Sequence, residues 1–219
     1  MTTDNNQIKA ILWDFGGVFT SSPFEAFNVL EQQLGVPTNF IRGINAVNPT
    51  TNAWAKFESN AVSLDEFDTL FAAESEQQGY RISGKDVVAV LSGNLRPRMV
   101  STLKRCREHY KVACITNNVK AGRGPSMTRD QAKADAVAEV MKLFDEVVES
   151  SKEGIRKPDP QIYLTACQRL GVEPSDAVFL DDLGINLKPA RALGMQTIKV
   201  LSETQAIEDL STITGLSFD

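Results

Sequence analysis

The sequence predicts an α/β fold with a parallel sheet and an inserted helical cap. Short apolar runs alternate with helical patterns, and polar residues follow these runs where strands would end. From about residue 21 to residue 93 the patterns are amphipathic and helical, and no buried strand is predicted. A chain of 219 residues is long enough for one sizeable core and a small second domain.

The predicted sheet has five strands separated by helices, as is typical of a parallel sheet covered on both faces. The strands are predicted at residues 8–13, 111–116, 145–150, 177–181 and 196–200. Three of the intervening helices are predicted at residues 97–109, 160–170 and 187–193. Asp159 is the expected N-cap of the second helix, and Asn186 that of the third, with Pro189 in its first turn.

The helical insertion divides the chain. Residues 24–35 and 63–79 are its clearest amphipathic runs. We therefore expect a core domain of residues 1–20 and 94–219, with residues 21–93 as a cap over the carboxyl edge of the sheet. A glycine-containing basic segment, residues 119–131, is either a mobile surface loop or a loop that contacts the substrate or a second subunit.

Composition excludes several classes of function. A net charge of -5 argues against nucleic-acid binding and against anionic membranes, both of which require Lys and Arg. No apolar run approaches the roughly 20 residues that a membrane helix needs. The three cysteines form no CxxC pair, which argues against structural zinc and favours a reducing compartment. The N-terminus MTTDNNQ shows no signal peptide. We expect a cytoplasmic protein, and an acidic surface is compatible with a homodimer.

The predicted strand ends carry chemically active groups. These are the carboxylates, hydroxyl, amide and ammonium groups of Asp14, Asp181, Asp182, Thr116, Asn117 and Lys157. Each alone has an ordinary interpretation as a turn residue, a cap or a solvated charge. Together they are expected at one edge, because ligands of open parallel sheets bind outside the carboxyl ends of the strands. A divalent cation and the lysine would relieve the repulsion among the carboxylates.

These groups suit phosphoryl transfer. Mg²⁺ takes oxygen ligands and often binds through one or two carboxylates plus a substrate phosphate. Asp14 can act as both ligand and nucleophile, since aspartyl phosphate is an established covalent intermediate. Thr116 and the backbone N–H of Asn117 can hold the phosphoryl oxygens, and Lys157 can neutralise their charge.

The strand-end segments resemble, in order, the four motifs of the haloacid dehalogenase (HAD) superfamily. They are WDFGGVFT with Asp14, CITNN with Thr116, GIRKPDPQIY with Lys157, and FLDDLGINLKPARALGM with Asp181 and Asp182. The resemblance is closest to the N-terminal phosphatase-like domain of soluble epoxide hydrolases, and the cap segment NAWAKFESNAVSLDEF shares it. It covers most of the chain apart from residues 119–131 and the C-terminal end.

The resemblance implies a Rossmann-like core and a reaction. The usual reaction is hydrolysis of a small phosphate ester through an aspartyl phosphate. The implied Mg²⁺ ligands are Asp14, the backbone carbonyl of Gly16 and Asp182. Asp181 would orient the lysine, and Asn186 would support the site.

Gly16 departs from the pattern. Phosphatases of this superfamily usually read Asp-x-Asp, and the second Asp, the general acid and base, is Gly16 here. Such catalysis is typically worth about 10²–10⁴-fold. We therefore expect weak activity toward alkyl phosphates, or a replacement acid, with Glu25 and Thr20 as candidates. His109 is interpreted as structural or exposed.

Two other functions stay open. In a 2-haloacid dehalogenase, Asp14 would attack carbon without a metal, but such enzymes lack the acidic pair found here. A degenerate domain that binds a ligand without turnover is the third interpretation. The absent side chain at Gly16 supports it, whereas the retained Asp14 and Lys157 count against it.

Overall fold

The computed structural model describes residues 8–121, 127–128 and 130–218. Residues 1–7, on which the expectation of no signal peptide rests, lie outside the described residues. So do residues 122–126 and 129 of the 119–131 segment and residue 219.

The core is a five-stranded sheet in which all neighbouring strands are parallel. The strands are β1 (Ala10–Trp13), β2 (Lys111–Thr116), β3 (Glu146–Glu149), β4 (Ala177–Asp181) and β5 (Gln196–Lys199). Their order across the sheet is β3-β2-β1-β4-β5, so β1 lies in the middle. The prediction of a parallel α/β sheet is confirmed. β2 and β4 have the predicted bounds, and the other three are shorter by one or two residues.

Helices fill the space between the strands. Those between β1 and β2 are α1 (Pro23–Leu34), α2 (Phe40–Ala46), α3 (Ala53–Glu58), α4 (Leu64–Gln77), α5 (Gly84–Ala89) and α6 (Pro97–Arg107). Those after β2 are α7 (Gln131–Met141), α8 (Ser150–Glu153), α9 (Pro160–Leu170), α10 (Gly184–Ala192) and α11 (Glu203–Thr214). Helix α4 begins with the capping box that its sequence provides, in which Ser63 and Glu66 bond reciprocally.

Helices α1 to α5 form the expected helical insertion. The chain leaves the core and returns to it side by side, because Thr20 and Leu95 form an isolated antiparallel bridge. Helices α1 to α5 also enclose their own apolar cluster, which includes Phe27, Phe67 and Phe71. We keep the division into a core of residues 1–20 and 94–219 and a cap of residues 21–93 as a proposal.

The alternation of side chains along β1 produces two apolar layers. Ile11 and Trp13 belong to the cluster that also contains residues of α6, α7 and α11. Leu12 belongs to the opposite cluster, which contains residues of α9 and α10. All four residues of β1 are fully buried, so the carboxyl end of this strand is held firmly from both faces.

The predicted start of α10 was wrong. The helix begins at Gly184, with Leu183 as an N-cap that makes no side-chain cap bond. Asn186 is therefore inside the helix and Pro189 lies beyond its first turn. The prediction failed because Leu183 is not a typical capping residue. Helix α6 also ends at Arg107, two residues earlier than predicted.

Two further expectations concern the loops and membranes. The interpretation of residues 119–131 as a mobile surface loop is wrong for Val119 and Ala121, which are buried in the apolar cluster of the cap. Among the described residues, no helix is both long and apolar enough to span a bilayer. The three cysteines are free and buried.

Candidate active site

The carboxyl ends of β1 and β4 meet the segment before α9 at one buried ion-pair cluster. The Lys157 Nζ lies 2.7 Å from Asp14 Oδ1 and 2.8 Å from Asp181 Oδ2. The lysine is 1% exposed and Asp181 is fully buried. The cluster opens on a cavity of about 450 Å³ between the sheet edge and the cap helices. The structure thus brings together three residues that are far apart in the sequence.

Lys157 is held in its protonated form. Burial alone would lower the pKa of this lysine, but the attraction of Asp14 and Asp181 outweighs burial and raises the pKa above its usual value. The backbone N–H of Phe15 also donates to Asp14 Oδ1 at 2.6 Å. Two donors therefore hold one oxygen of Asp14, and its other oxygen, Oδ2, is not used by either.

Asp181 is a supporting residue by its geometry. Its Oδ1 accepts a hydrogen bond from the backbone N–H of Leu183 at 2.8 Å. The Asn186 side-chain amide donates to both oxygens of Asp181, at 3.1 and 3.0 Å. This carboxylate therefore fixes both the start of α10 and the position of Lys157. The position of Asn186 inside α10, rather than at its cap, is what makes these bonds.

Three acidic side chains are crowded at the end of the sheet. One carboxylate oxygen from each of Asp14, Asp181 and Asp182 lies within 4.8 Å of the others. Burial raises the pKa of Asp14, and Asp181 and Asp182 raise it further, although Lys157 opposes them. Burial and the charge of Asp181 raise the pKa of Asp182 to about 6. Crowding and burial make the ionised forms of these carboxyl groups unfavourable. Such a group of carboxylates suits a hard divalent cation.

Gly16 and Gly17 differ in what a side chain would meet. At Gly17, φ is 74° and an added Cβ would lie 2.4 Å from Asp182 Oδ2. The positive φ favours glycine there, and a Cβ would in addition displace the Asp182 carboxylate. At Gly16 an added Cβ would meet no atom within 4 Å, and this residue lines the cavity. The site thus has room for at least a Cβ at the position where the side chain is absent.

The residues after β2 divide between the cavity and the core. Thr116 and Asn117 line the cavity, as expected. The Asn117 side chain brackets the main chain of Lys157, since Oδ1 accepts from its N–H at 2.8 Å and Nδ2 donates to its carbonyl at 3.0 Å. Asn118 is buried and donates to Glu149 Oε1 at the end of β3. Its role is to join the two strand ends.

Sequence reasoning missed the polar contacts that Glu58 and Arg96 make. Glu58, at the end of α3, accepts a hydrogen bond from Arg156 Nε at 2.6 Å and one from Trp54 Nε1 at 2.9 Å. Arg96, the N-cap of α6, donates to the carbonyl of Gly17 at 2.9 Å. Arg156 directly precedes the predicted Lys157, and this adjacency was the available signal. Nothing in the sequence indicated its partner.

The cap side of the cavity is mainly apolar. This wall is lined by Phe24, Phe27, Trp54, Leu91 and Val119. Arg42 also lines it and lies over the ring of Phe24, 4.2 Å from the centroid. The cavity therefore combines a charged end at the sheet with an aromatic wall under the cap.

The candidate replacement acids fare differently. Glu25 is exposed and is not among the residues that line the cavity, so its proposal as a stand-in was wrong. Thr20 lines the cavity, but its hydroxyl donates to the carbonyl of Ser21 at 3.1 Å and accepts from the N–H of Gly17 at 3.3 Å. His109 is exposed and outside this cavity, as expected.

Comparison with known proteins gives one family and several relatives. A family model described as a hydrolase, haloacid dehalogenase-like, matches residues 8–194. The chain is 33% identical over 219 residues to mouse acyl-CoA dehydrogenase family member 10, covering 94% of this chain and 19% of that protein. It is 28% identical over 232 residues to mouse bifunctional epoxide hydrolase 2, covering 96% of this chain and 40% of that protein. The chain thus spans less than half the length of these two relatives.

Two further matches extend over nearly whole proteins. A sesquiterpene phosphatase of Aspergillus oryzae is 25% identical over 213 residues, covering 94% of this chain and 97% of that protein. The crystal structure of a HAD family enzyme from Bacteroides thetaiotaomicron, in complex with magnesium and inorganic phosphate, has a TM-score of 0.56. It is 21% identical and covers 87% of this chain and 93% of that one. The second match supports the fold.

Proposed function

We propose, from the premise that the chain belongs to the haloacid dehalogenase-like hydrolase family, that it is a Mg²⁺-dependent phosphatase of small apolar phosphate esters. The observation that carries the proposal is the contact between Asp14 and the buried Lys157 at the charged end of a cavity that has an aromatic wall. Relatives that include a sesquiterpene phosphatase support the reaction class. A cytoplasmic location and a homodimer remain predictions.

Asp14 is the proposed nucleophile. Its other oxygen, Oδ2, forms a bond to phosphorus while the bond between phosphorus and the leaving oxygen breaks, which produces an aspartyl phosphate. Water then attacks this phosphorus, releases inorganic phosphate and restores the carboxylate. The fixed contacts of Asp14 Oδ1 with Phe15 N–H and Lys157 Nζ orient the carboxylate before the reaction.

Other residues bind and neutralise the phosphoryl group. In our proposal the Thr116 hydroxyl and the Asn117 backbone N–H bind its oxygens, and Lys157 balances the negative charge that grows on them. Asp14, Asp182 and the carbonyl of Gly16 would hold Mg²⁺. When bound, this ion supplies charge neutralisation for the carboxylates and the phosphate.

Two features of the cavity point to the substrate class. No carboxyl group stands at Gly16 to protonate a departing alkoxide, so esters of more acidic alcohols are favoured, because they leave without a proton. The aromatic wall under the cap favours an apolar leaving group. Aryl phosphates satisfy both conditions, whereas hexose phosphates satisfy neither.

The test is phosphate release from aryl, acetyl and hexose phosphates, with Mg²⁺ and with EDTA. Wild type is compared with Asp14→Asn, which keeps the shape of the side chain and removes the nucleophile. We expect Mg²⁺-dependent release that is fastest for aryl phosphates and absent in the variant. Release without metal, or equal release by the variant, would overturn the proposal.

A Gly16→Asp variant measures what the absent acid is worth. Gly16 lines the cavity and an added Cβ there meets no atom within 4 Å. We expect hexose phosphate turnover to rise toward the about 10²–10⁴-fold range of general acid catalysis, with a smaller change for aryl phosphates. If no substrate is turned over by either protein, the dehalogenase assay and then ligand binding become the relevant measurements.

A further inference from the structure

We infer that Glu58, a residue of the cap, is a positioning residue that holds the Asn117–Lys157 pair in the geometry needed for phosphoryl transfer. This inference rests on the proposed function and assigns a role to a side chain outside the ion-pair cluster of Asp14, Lys157 and Asp181. Glu58 is 7% exposed and ends α3. Its carboxylate lines the same cavity as Asp14.

Three hydrogen-bond donors from two parts of the molecule converge on this carboxylate. Oε2 accepts from Arg156 Nε at 2.6 Å and from Asn117 Nδ2 at 3.3 Å. Oε1 accepts from the indole N–H of Trp54 at 2.9 Å. Only an acceptor without protons satisfies all three donors, because a carboxylate offers several lone pairs and no N–H. A glutamine at this position would point its amide hydrogens at one or more of them.

The contacts lead from Glu58 to the lysine in two steps. Asn117, which Glu58 contacts, brackets the Lys157 main chain, because its Oδ1 accepts from the Lys157 N–H and its Nδ2 donates to the Lys157 carbonyl. Arg156, which Glu58 also contacts, is the residue directly before Lys157. Both neighbours of the lysine main chain are therefore held by the same cap carboxylate. The lysine Nζ in turn fixes Asp14 Oδ1 at 2.7 Å.

We call the contacts of Glu58 with Arg156 and Asn117 the joint. A further hydrogen bond connects the joint to the cap. Arg156 Nη1 donates to the carbonyl of Pro49, which lies between α2 and α3, at 2.9 Å. The arginine thus bonds two cap groups at once while belonging to the segment that carries the catalytic lysine. Because one side of the joint is the cap and the other is the active site, a shift of α3 would be transmitted to Lys157.

The consequence is a kinetic signature. A small misplacement of a group in the site can lower the rate by up to about 10²-fold. In Glu58→Gln we expect kcat for an aryl phosphate to fall about tenfold with a smaller change in KM, since no residue of the apolar wall is substituted. In the double variant Glu58→Gln/Arg156→Gln the loss should match that of the worse single variant, because both substitutions break the same joint.

The control is Glu76→Gln in α4. Glu76 is a cap carboxylate that pairs with Arg81 at 2.8 Å, with both side chains 61% exposed. It has the same chemistry as Glu58 and lies away from the residues that line the cavity. We expect its kcat and KM to equal those of wild type.

Hydrogen exchange supplies a readout that does not depend on turnover. The Lys157 amide is held by Asn117 Oδ1 at 2.8 Å. We expect the peptide that contains it to exchange faster in Glu58→Gln than in wild type or Glu76→Gln. Unchanged exchange there, or unchanged kcat in a folded variant with a lower Tm, would give Glu58 a purely structural role and overturn the inference. If wild type hydrolyses no phosphate, the phosphatase proposal fails, and faster exchange still establishes the coupling.

Discussion

The two ends of the cavity are built on different principles. At the floor, formed by Asp14, Lys157, Asp181 and Asp182, the first three residues are buried and Asp182 is partly buried, and the lysine pairs with both Asp14 and Asp181. At the roof, formed by Phe24, Phe27, Trp54 and Leu91, the groups make aromatic and apolar contacts. Removing one charged group of the floor leaves its partner charge buried without a counter-charge, which destabilises the fold. A roof residue, by contrast, can be replaced by another apolar residue of similar volume. In our proposal the floor therefore determines the chemistry, and the roof selects the substrate.

The largest expected effect is at the floor, in Lys157→Met. This change removes the cation from between two buried carboxylates, and breaking a buried ion pair costs about 3–5 kcal/mol. We expect a loss of unfolding free energy of that order in EDTA, measured by urea denaturation. Activity should fall by about 10²–10³-fold, the usual effect of removing one group that stabilises transition-state charge.

The matched control is Lys142→Met in the helix-end pair with Glu139, in which both side chains are about 70% exposed. Exposed pairs contribute at most about 1 kcal/mol, so its stability should barely change. An equal loss of unfolding free energy in the two variants would mean that the buried ion pairs of the floor contribute no more to stability than an exposed pair on the surface.

A second comparison uses the two adjacent glycines of the floor. Gly17→Ala forces an L-residue into φ 74° and drives its Cβ against Asp182 Oδ2. We expect it to lower the unfolding free energy by about 1–3 kcal/mol. Gly16→Ala adds a Cβ with no atom within 4 Å and should change stability by less than about 0.5 kcal/mol. Thermal denaturation of both variants tests this, and a Gly16→Ala protein as unstable as Gly17→Ala would contradict it.

Most of the floor could be predicted from the sequence, for a physical reason. In a parallel sheet the carboxyl ends of all strands lie at one edge. The position of a polar residue that follows an apolar strand can therefore be predicted even when its partner is unknown. Asp14, Asp181 and Lys157 were placed together in this way, and the Lys157 Nζ lies 2.7 Å from Asp14 and 2.8 Å from Asp181. The start of α10 was missed because Asp181, rather than a cap side chain, binds the N–H of Leu183.

The roof could not be predicted in the same way. An amphipathic helix shows which face is buried and does not show what that face packs against. The helical insertion was recognised, yet nothing in the sequence paired Glu58 with Arg156, which lie 98 positions apart. Similarly, Glu25 was proposed for the cavity because it lies early in the cap, but its position on α1 faces solvent. Contacts between separate helices depend on tertiary packing that local patterns do not encode.

Unfolding stability measured in EDTA at different pH values tests the charge of Asp182, a floor residue. The pKa of Asp182 is raised to about 6 in the folded chain, above the ordinary value of about 4. Protonation therefore stabilises the fold, and this contribution is fully present below about pH 4 and is lost as pH rises through about 6. In EDTA at pH 7.5, Asp182→Asn should be more stable than wild type by about 1–2 kcal/mol, and this difference should vanish at pH 4.

Asp65→Asn is the control for this pH dependence, because the Asp65 side chain is 85% exposed. Mg²⁺ should stabilise wild type at pH 7.5 more than Asp182→Asn, since binding to the folded state adds to stability. A pH-independent difference between wild type and Asp182→Asn would show that the carboxylate is not strained by its neighbours.

The smallest expected effect is at the roof, in Phe24→Leu. Phe24 is partly buried against the apolar cluster of the cap and lines the cavity, so leucine keeps its apolar character and loses the ring. An aromatic contact is worth about 0.5–1.5 kcal/mol beyond buried area, and KM for an aryl phosphate should rise by about two- to tenfold. KM for acetyl phosphate should not change, because that substrate has no group that reaches the roof.

Phe40→Leu is the matched control, since Phe40 packs on Tyr80 and lies outside the residues that line the cavity. Equal effects on both substrates would move the role of Phe24 from substrate selection to folding of the cap, and the roof would then lose its distinct function.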